Sequence, residues 1–181
     1  MLKRIGLAGL AAGAISGGFL FAMMVAFKGV PLEDNQLGAL LGYASMLVAL
    51  SFVFIAVKRQ RDVVQGGVIK FLPAFGMGLA ISAIAGIIYA LCWEVTLAVT
   101  GLDFGDSYAQ ASIRMAEAQG MSGAELEAYT ARMEGFAKMY ANPVFRIPMT
   151  FTEIFPVGAL VSLVSALLLR NSRFLPYRPT I

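Results

Sequence analysis

Residues 71–93, FLPAFGMGLAISAIAGIIYALCW, form an apolar run that contains no charged side chain. An α-helix needs about 20 such residues to cross the hydrocarbon core of a bilayer. Three further runs, Ile5 to Phe27, Leu37 to Val57 and Ile147 to Leu169, are of similar length. The sequence therefore predicts an all-α polytopic membrane protein with four transmembrane helices, forming a single domain over residues 1–181.

The composition supports this class of protein and indicates which classes of partner to expect. Of the 181 residues 59% are hydrophobic, against about 45–50% in a soluble domain. The net charge of +3 comes from basic residues beside the apolar runs, so we expect membrane lipids as partners and no nucleic acid. With no histidine and one cysteine, Cys92, the chain has no cysteine-based zinc site or internal disulfide. We predict no metal site and no cofactor.

The charges are sorted by the side of the membrane that each flank would occupy. One set is almost entirely basic, with Asp62 as its one acid: Lys3, Arg4, Lys58, Arg59, Arg61, Lys70, Arg170, Arg173 and Arg178. The positive-inside rule assigns this set, and with it both termini, to the cytoplasm. Within it, the short loop carrying Lys58, Arg59 and Arg61 is predicted to contact lipid headgroups. Gly66 and Gly67 are predicted to break the helix before the third span.

Residues 101–142, between the third and fourth spans, are predicted to form an extracytoplasmic helical lid. Ser122 and Glu125 have the spacing of a capping box at a helix start, and residues 108–118 are predicted to form an earlier helix. Apolar side chains then recur on one helical face, namely Leu126, Tyr129, Met133, Phe136 and Tyr140. This face either packs on the protein's own bundle or docks a partner or lipid.

Glu153 is the strongest candidate for a functional residue, because it lies inside the fourth apolar run. It is roughly 9 Å below the start of that run, where an acid costs at least about 2–3 kcal/mol. Pro156 leaves a backbone carbonyl free near Thr152. Together these groups suit a cation or proton site, while the structural alternative is that Glu153 pairs with a base or hydroxyl in the bundle.

Three more charged residues are expected at the same end of the bundle. Glu94 follows the third apolar run, Arg146 precedes the fourth and Lys28 ends the first. We predict that they converge with Glu153 in a polar cluster. The cluster is either a structural ion-pair network or an outward-facing binding pocket.

Small residues recur at four-residue steps in every span, as in Gly9, Gly13 and Gly17 or in Gly78, Ser82 and Gly86. Small residues let transmembrane helices approach closely, so the pattern predicts a tight bundle. A monomer needs only some of these faces, and the surplus favours a homo-oligomer.

Several motifs together resemble a known family. They are Gly42-Tyr43 with Met46, Lys58-Arg59-x-Arg61-Asp62, Gly66-Gly67, Ile87-Ile88-Tyr89-Ala90 with Trp93, Gly120-Met121-Ser122, Asn142-Pro143, and Thr150-Phe151-x-Glu153-Ile154-Phe155-Pro156-Val157-Gly158. The chain resembles, over nearly its whole length, an uncharacterised bacterial membrane family, domain of unknown function 4199. The resemblance implies a small four-span protein of the bacterial inner membrane and carries over no activity.

Three functions follow as expectations. The leading one is a non-enzymatic structural or accessory protein that binds lipid or the membrane helices of a partner protein. The second is a small oligomeric channel or transporter in which Glu153 binds a cation or proton. The third, an enzyme acting on lipid within the membrane, is the least favoured because no nucleophile–base pair can be placed.

Overall fold

The computed structural model of the chain describes residues 2–26 and 36–176, which form helices and no strand. The α-helices are α1 (Leu2–Ala26), α2 (Gln36–Arg59), α3 (Phe71–Thr100), α4 (Phe104–Ala118), α5 (Gly123–Tyr140) and α6 (Pro143–Leu169). A π-helical turn, Gln60–Val64, continues α2. Four helices (α1, α2, α3 and α6) are long and apolar enough to span a membrane. The predicted all-α class with four spans is therefore confirmed.

Two spans are longer than the apolar runs that predicted them. The third run stops at Trp93, yet α3 continues to Thr100, where Gly101 ends it with a φ of 65° and an N–H that donates to the Leu97 carbonyl. The fourth run starts at Ile147, yet α6 begins at Pro143. Proline suits the first helical turn, where a backbone N–H would have no intrahelical acceptor.

Close backbone contacts join the spans, with α3 between α1 and α6. At the α3–α6 crossing, a Cβ atom added to Gly158 would lie 2.6 Å from the Cβ of Ser82. Ser82 and Ser162 then lie with their hydroxyl oxygens 3.3 Å apart. At the α1–α3 crossing, Gly9 and Gly13 meet isoleucine side chains in the same way. Because only glycine fits at these points, the prediction of a tight bundle is confirmed.

The lid, which we define as α4 and α5, is a helical hairpin at one end of the bundle. Helix α4 starts before the predicted 108–118, because the Asp103 side chain accepts from the Asp106 N–H at 3.1 Å and caps it. Ser122 does stand at the start of α5, but its side chain makes no capping hydrogen bond. The predicted capping bond from Ser122 is therefore wrong, and Gly123, the first residue of α5, has a φ of +61°.

Candidate functional site

Glu94 and Arg146 form an ion pair at the lid end of the bundle. The Arg146 Nε lies 2.7 Å from one Glu94 carboxylate oxygen and Nη2 lies 2.5 Å from the other. The third guanidinium nitrogen donates to the Tyr140 carbonyl at 3.2 Å, and the guanidinium lies over the Tyr140 ring. Every guanidinium nitrogen thus has a protein partner. Because these partners lie on α3 and α5, Arg146 joins both helices to α6.

Glu153 makes no hydrogen bond or salt bridge to that pair. It lies ten residues after the first residue of α6, or about 15 Å along the helix, and its side chain is exposed. The Tyr89 side chain of α3 lies near its carboxylate. Among the residues that the structure describes, Glu153 makes no ion pair. Lys28, which we predicted to join the cluster, lies outside the described residues.

Aromatic side chains fix the lid on the end of α3. The Trp93 indole N–H donates to the Tyr140 hydroxyl at 2.7 Å, and the Trp93 ring meets Phe104 edge-on at 5.2 Å between centroids. Tyr140 also packs against Phe104 and Phe136. Burial raises the pKa of the Tyr140 hydroxyl, because the ionised form would lose its hydration. The end of the α5 apolar face at Phe136 and Tyr140 therefore packs within the protein, in agreement with the first of its two interpretations.

The opposite end of the bundle is basic and is organised around Arg61. The Arg61 side chain has no exposed surface. Its Nε donates to an Asp62 carboxylate oxygen at 2.6 Å. Its two terminal nitrogens donate to the carbonyls of Phe174 and Leu175 at 2.9 Å and 2.6 Å. Arg61 thus clamps the segment after α6, and Leu175 is held there with a φ of 45°.

The neighbours of Arg61 in the predicted headgroup-binding loop have different environments. Lys58 pairs with the other oxygen of Asp62 at 2.5 Å and is about one-third exposed, while Arg59 is exposed. Gly66 and Gly67 have positive φ values and make the turn into α3, as predicted. Contact of Lys58, Arg59 and Arg61 with lipid headgroups stays a prediction, and of the three Arg61 alone has no exposed surface.

A shallow, open groove follows α2 towards this basic end, first between α2 and α6 and then beside the π-helical turn and the segment after α6. Its first part has a volume of about 330 Å³ and side chains that are almost all apolar, namely Leu47, Ser51, Phe54, Leu160, Val161, Val164 and Ser165. Its second part, of about 390 Å³, is lined by Phe54, Ile55, Lys58, Arg59, Asp62, Val63 and Pro176. Phe54 belongs to both parts. We call the two parts together the α2–α6 groove; it is apolar at mid-span and carries charged groups at its end.

Sequence reasoning missed the Arg61 clamp, the Trp93–Tyr140 hydrogen bond and the α2–α6 groove. The first two join residues far apart in the chain, and one side of the clamp is backbone carbonyl. The first part of the groove lies between two helices, and its shape depends on how they cross. The sequence places Arg61 in a loop with two other bases, and nothing local to it predicts that Arg61 alone is fully buried.

The described helices and their apolar faces define a helical membrane protein. A family model described as "Protein of unknown function (DUF4199)" matches residues 11–171. The chain belongs to this family, which confirms the resemblance. No curated protein and no solved structure matches the chain.

Proposed function

We propose that this protein is a non-enzymatic accessory membrane protein that binds an anionic phospholipid in the α2–α6 groove. The observation that supports this function is the junction at Phe54 of an apolar part and a part carrying Lys58 and Arg59. A phospholipid has the same arrangement, because its apolar acyl chains are joined to a charged phosphate. Exposed Arg59 is the side chain best placed to reach that phosphate.

The charge around the groove favours an anionic lipid. Of the described residues at this end of the bundle, Asp62 is the one acid, and it is already paired with Lys58 and Arg61. The bases at the same end of the bundle are Lys3, Arg4, Lys58, Arg59, Arg61, Lys70, Arg170 and Arg173. Each base near an anionic surface contributes about 1 kcal/mol of attraction. A zwitterionic headgroup would gain little of this, so binding is expected to depend on net negative charge.

Native mass spectrometry from mild detergent tests the proposal. The protein is titrated with phosphatidylglycerol or with phosphatidylcholine of the same chain length, and retained lipid is counted. We expect preferential retention of phosphatidylglycerol. Arg59→Gln should weaken it about fivefold, the equivalent of about 1 kcal/mol. Val164→Trp should weaken retention of both lipids by filling the apolar part of the groove.

Arg170→Gln is the matched control, because it removes the same charge from an exposed arginine that does not line the groove. Equal retention of the two lipids, or equal effects of Arg59→Gln and Arg170→Gln, would contradict the proposal. Equal retention of the two lipids would mean that the groove does not distinguish anionic from zwitterionic headgroups. Equal effects of the two substitutions would mean that the basic end attracts anionic lipid in general and has no specific binding site.

A second candidate function is a small oligomeric channel or transporter in which Glu153 takes up a cation or proton. Its support is an exposed carboxylate about 15 Å along α6 that lies near Tyr89 and has no ion pair among the described residues. Flux into liposomes tests it: Glu153→Gln should abolish proton or sodium flux, while Glu125→Gln on the exposed side of the lid should not. Unchanged flux in Glu153→Gln would exclude this role for Glu153.

A further inference from the structure

Helix α6 carries a regular row of exposed side chains on the face turned away from the bundle. The row, which we call the α6 seam, consists of Met149, Glu153, Pro156, Leu160, Leu163 and Leu167. Successive members are four, three, four, three and four residues apart. That alternation is the heptad spacing along which one helix packs lengthwise on another. The opposite face, with Ile154, Gly158 and Ser162, is the one buried in the bundle.

Glu153 is the one charged member of the seam. An exposed carboxylate at this depth of a span is energetically unfavourable if lipid surrounds it. Tyr89 lies near it within the protein, but Glu153 remains exposed. A second helix on the α6 seam would cover the carboxyl group and give it a hydrogen-bonding partner. In heptad seams, a single polar residue among apolar ones fixes register and oligomeric state.

We propose that the α6 seam is the contact surface between two copies of this protein, related by a two-fold axis along the membrane normal. Two copies inserted in the same orientation bring each seam residue opposite its own counterpart at the same depth. The two Glu153 side chains then meet. Two adjacent carboxyl groups share a proton readily, so that one O–H donates to the other carboxylate. The seam is thus complementary to itself, whereas a different partner would need a suitable polar group at this depth.

Disulfide cross-linking of the full chain in liposomes tests the arrangement. Single cysteines are placed at Leu160 and, as a control, at Ile87 of α3, after Cys92 has been replaced by alanine. Leu160 and Ile87 are 62% and 53% exposed and both lie well inside their spans. Because a disulfide needs Cα atoms within about 7 Å, Leu160→Cys should give a cross-linked dimer and Ile87→Cys should not. Equal yields at the two positions would overturn the proposal.

Glu153→Leu, combined with Leu160→Cys, tests the carboxyl pair itself. It removes a charge from the apolar layer and so does not endanger insertion. Dimer formation should weaken roughly threefold to twentyfold, the range measured for single polar contacts between membrane helices. Glu153→Gln should weaken it less, because an amide both donates and accepts. If Glu153→Leu leaves the dimer yield unchanged, the self-pairing of Glu153 is wrong. Because Leu160 also lines the apolar part of the α2–α6 groove, the liposomes contain phosphatidylcholine alone, so that the dimer yield is measured without an anionic lipid in the groove.

Discussion

Arg146 binds Glu94 through two nitrogens at once, and this ion pair joins the first turn of α6 to the lid end of α3. The same guanidinium donates to the last carbonyl of α5, that of Tyr140. Arginine can do this because its planar fork offers several donors in fixed directions, whereas lysine offers one compact ammonium group. The charge alone is therefore insufficient; the shape of the side chain matters.

Arg146→Lys is expected to lower the free energy of unfolding by about 1.5–3 kcal/mol, the contribution of a hydrogen bond to a charged group. Denaturation by sodium dodecyl sulfate in mixed micelles measures the change. Arg170→Lys is the control, since Arg170 is exposed at the other end of α6. Equal stability of the two variants would show that the two-point geometry contributes nothing beyond charge.

Tyr140→Phe removes the hydroxyl that accepts from the Trp93 indole and leaves the rest of the ring in place. We expect a loss of about 0.5–1.5 kcal/mol, the range for one neutral hydrogen bond. Trp93 is the only tryptophan in the chain, so its fluorescence reports directly on this contact during unfolding. Tyr129→Phe is the control, because the Tyr129 ring packs with Arg132 of the same helix. A loss as large in Tyr129→Phe would mean that the Trp93 bond adds no stability.

The polar cluster shows how far sequence reasoning reaches. Run length and the sorting of charges predict the spans, and they place Glu94 and Arg146 at one end of the bundle. Glu153 was expected in the same cluster because it lies seven residues after Arg146, on the same helical face. Nε and Nη2 of Arg146 instead bind Glu94, and Nη1 binds the Tyr140 carbonyl. Which acid binds Arg146 depends on where α3 crosses α6.

The basic end of the bundle shows which contacts could not be predicted from the sequence. A loop of lysine and arginine between two spans predicts exposed charge, and Arg59 fits that expectation. Arg61 looks the same in sequence, yet its acceptors include the carbonyls of Phe174 and Leu175, more than a hundred residues later in the chain. Every residue has a backbone carbonyl, so no sequence pattern marks these two as acceptors.

Gly158→Ala should destabilise the crossing of α3 and α6. The added Cβ would lie 2.6 Å from Cβ and Oγ of Ser82, so one helix must move, at a cost of about 1–3 kcal/mol. Gly76→Ala is the matched control, because a Cβ there would have no atom within 4 Å. That change should be neutral or stabilise α3 by up to about 1 kcal/mol. Thermal unfolding in detergent distinguishes the two, and equal shifts would argue against close packing at Gly158.

Arg61→Lys should release the segment after α6 while leaving the bundle folded. One ammonium group cannot reach Asp62 and two separate carbonyls at the same time. Losing one charge-assisted hydrogen bond of about 1.5 kcal/mol corresponds to roughly tenfold faster opening. Hydrogen exchange measured by mass spectrometry should therefore accelerate about tenfold or more at the amides of residues 172–175. Exchange in residues 158–166 of α6 should stay as slow as in the unchanged protein.

Arg59→Lys provides the matched control for this prediction, because Arg59 is exposed and lies two residues before Arg61. It makes the same chemical change in the same loop without touching the carbonyls of Phe174 or Leu175. Its exchange should match the unchanged protein throughout. If Arg61→Lys behaves like Arg59→Lys, the segment is held by Phe174, whose ring packs edge-on against Phe54 at 6.5 Å, and not by the buried guanidinium.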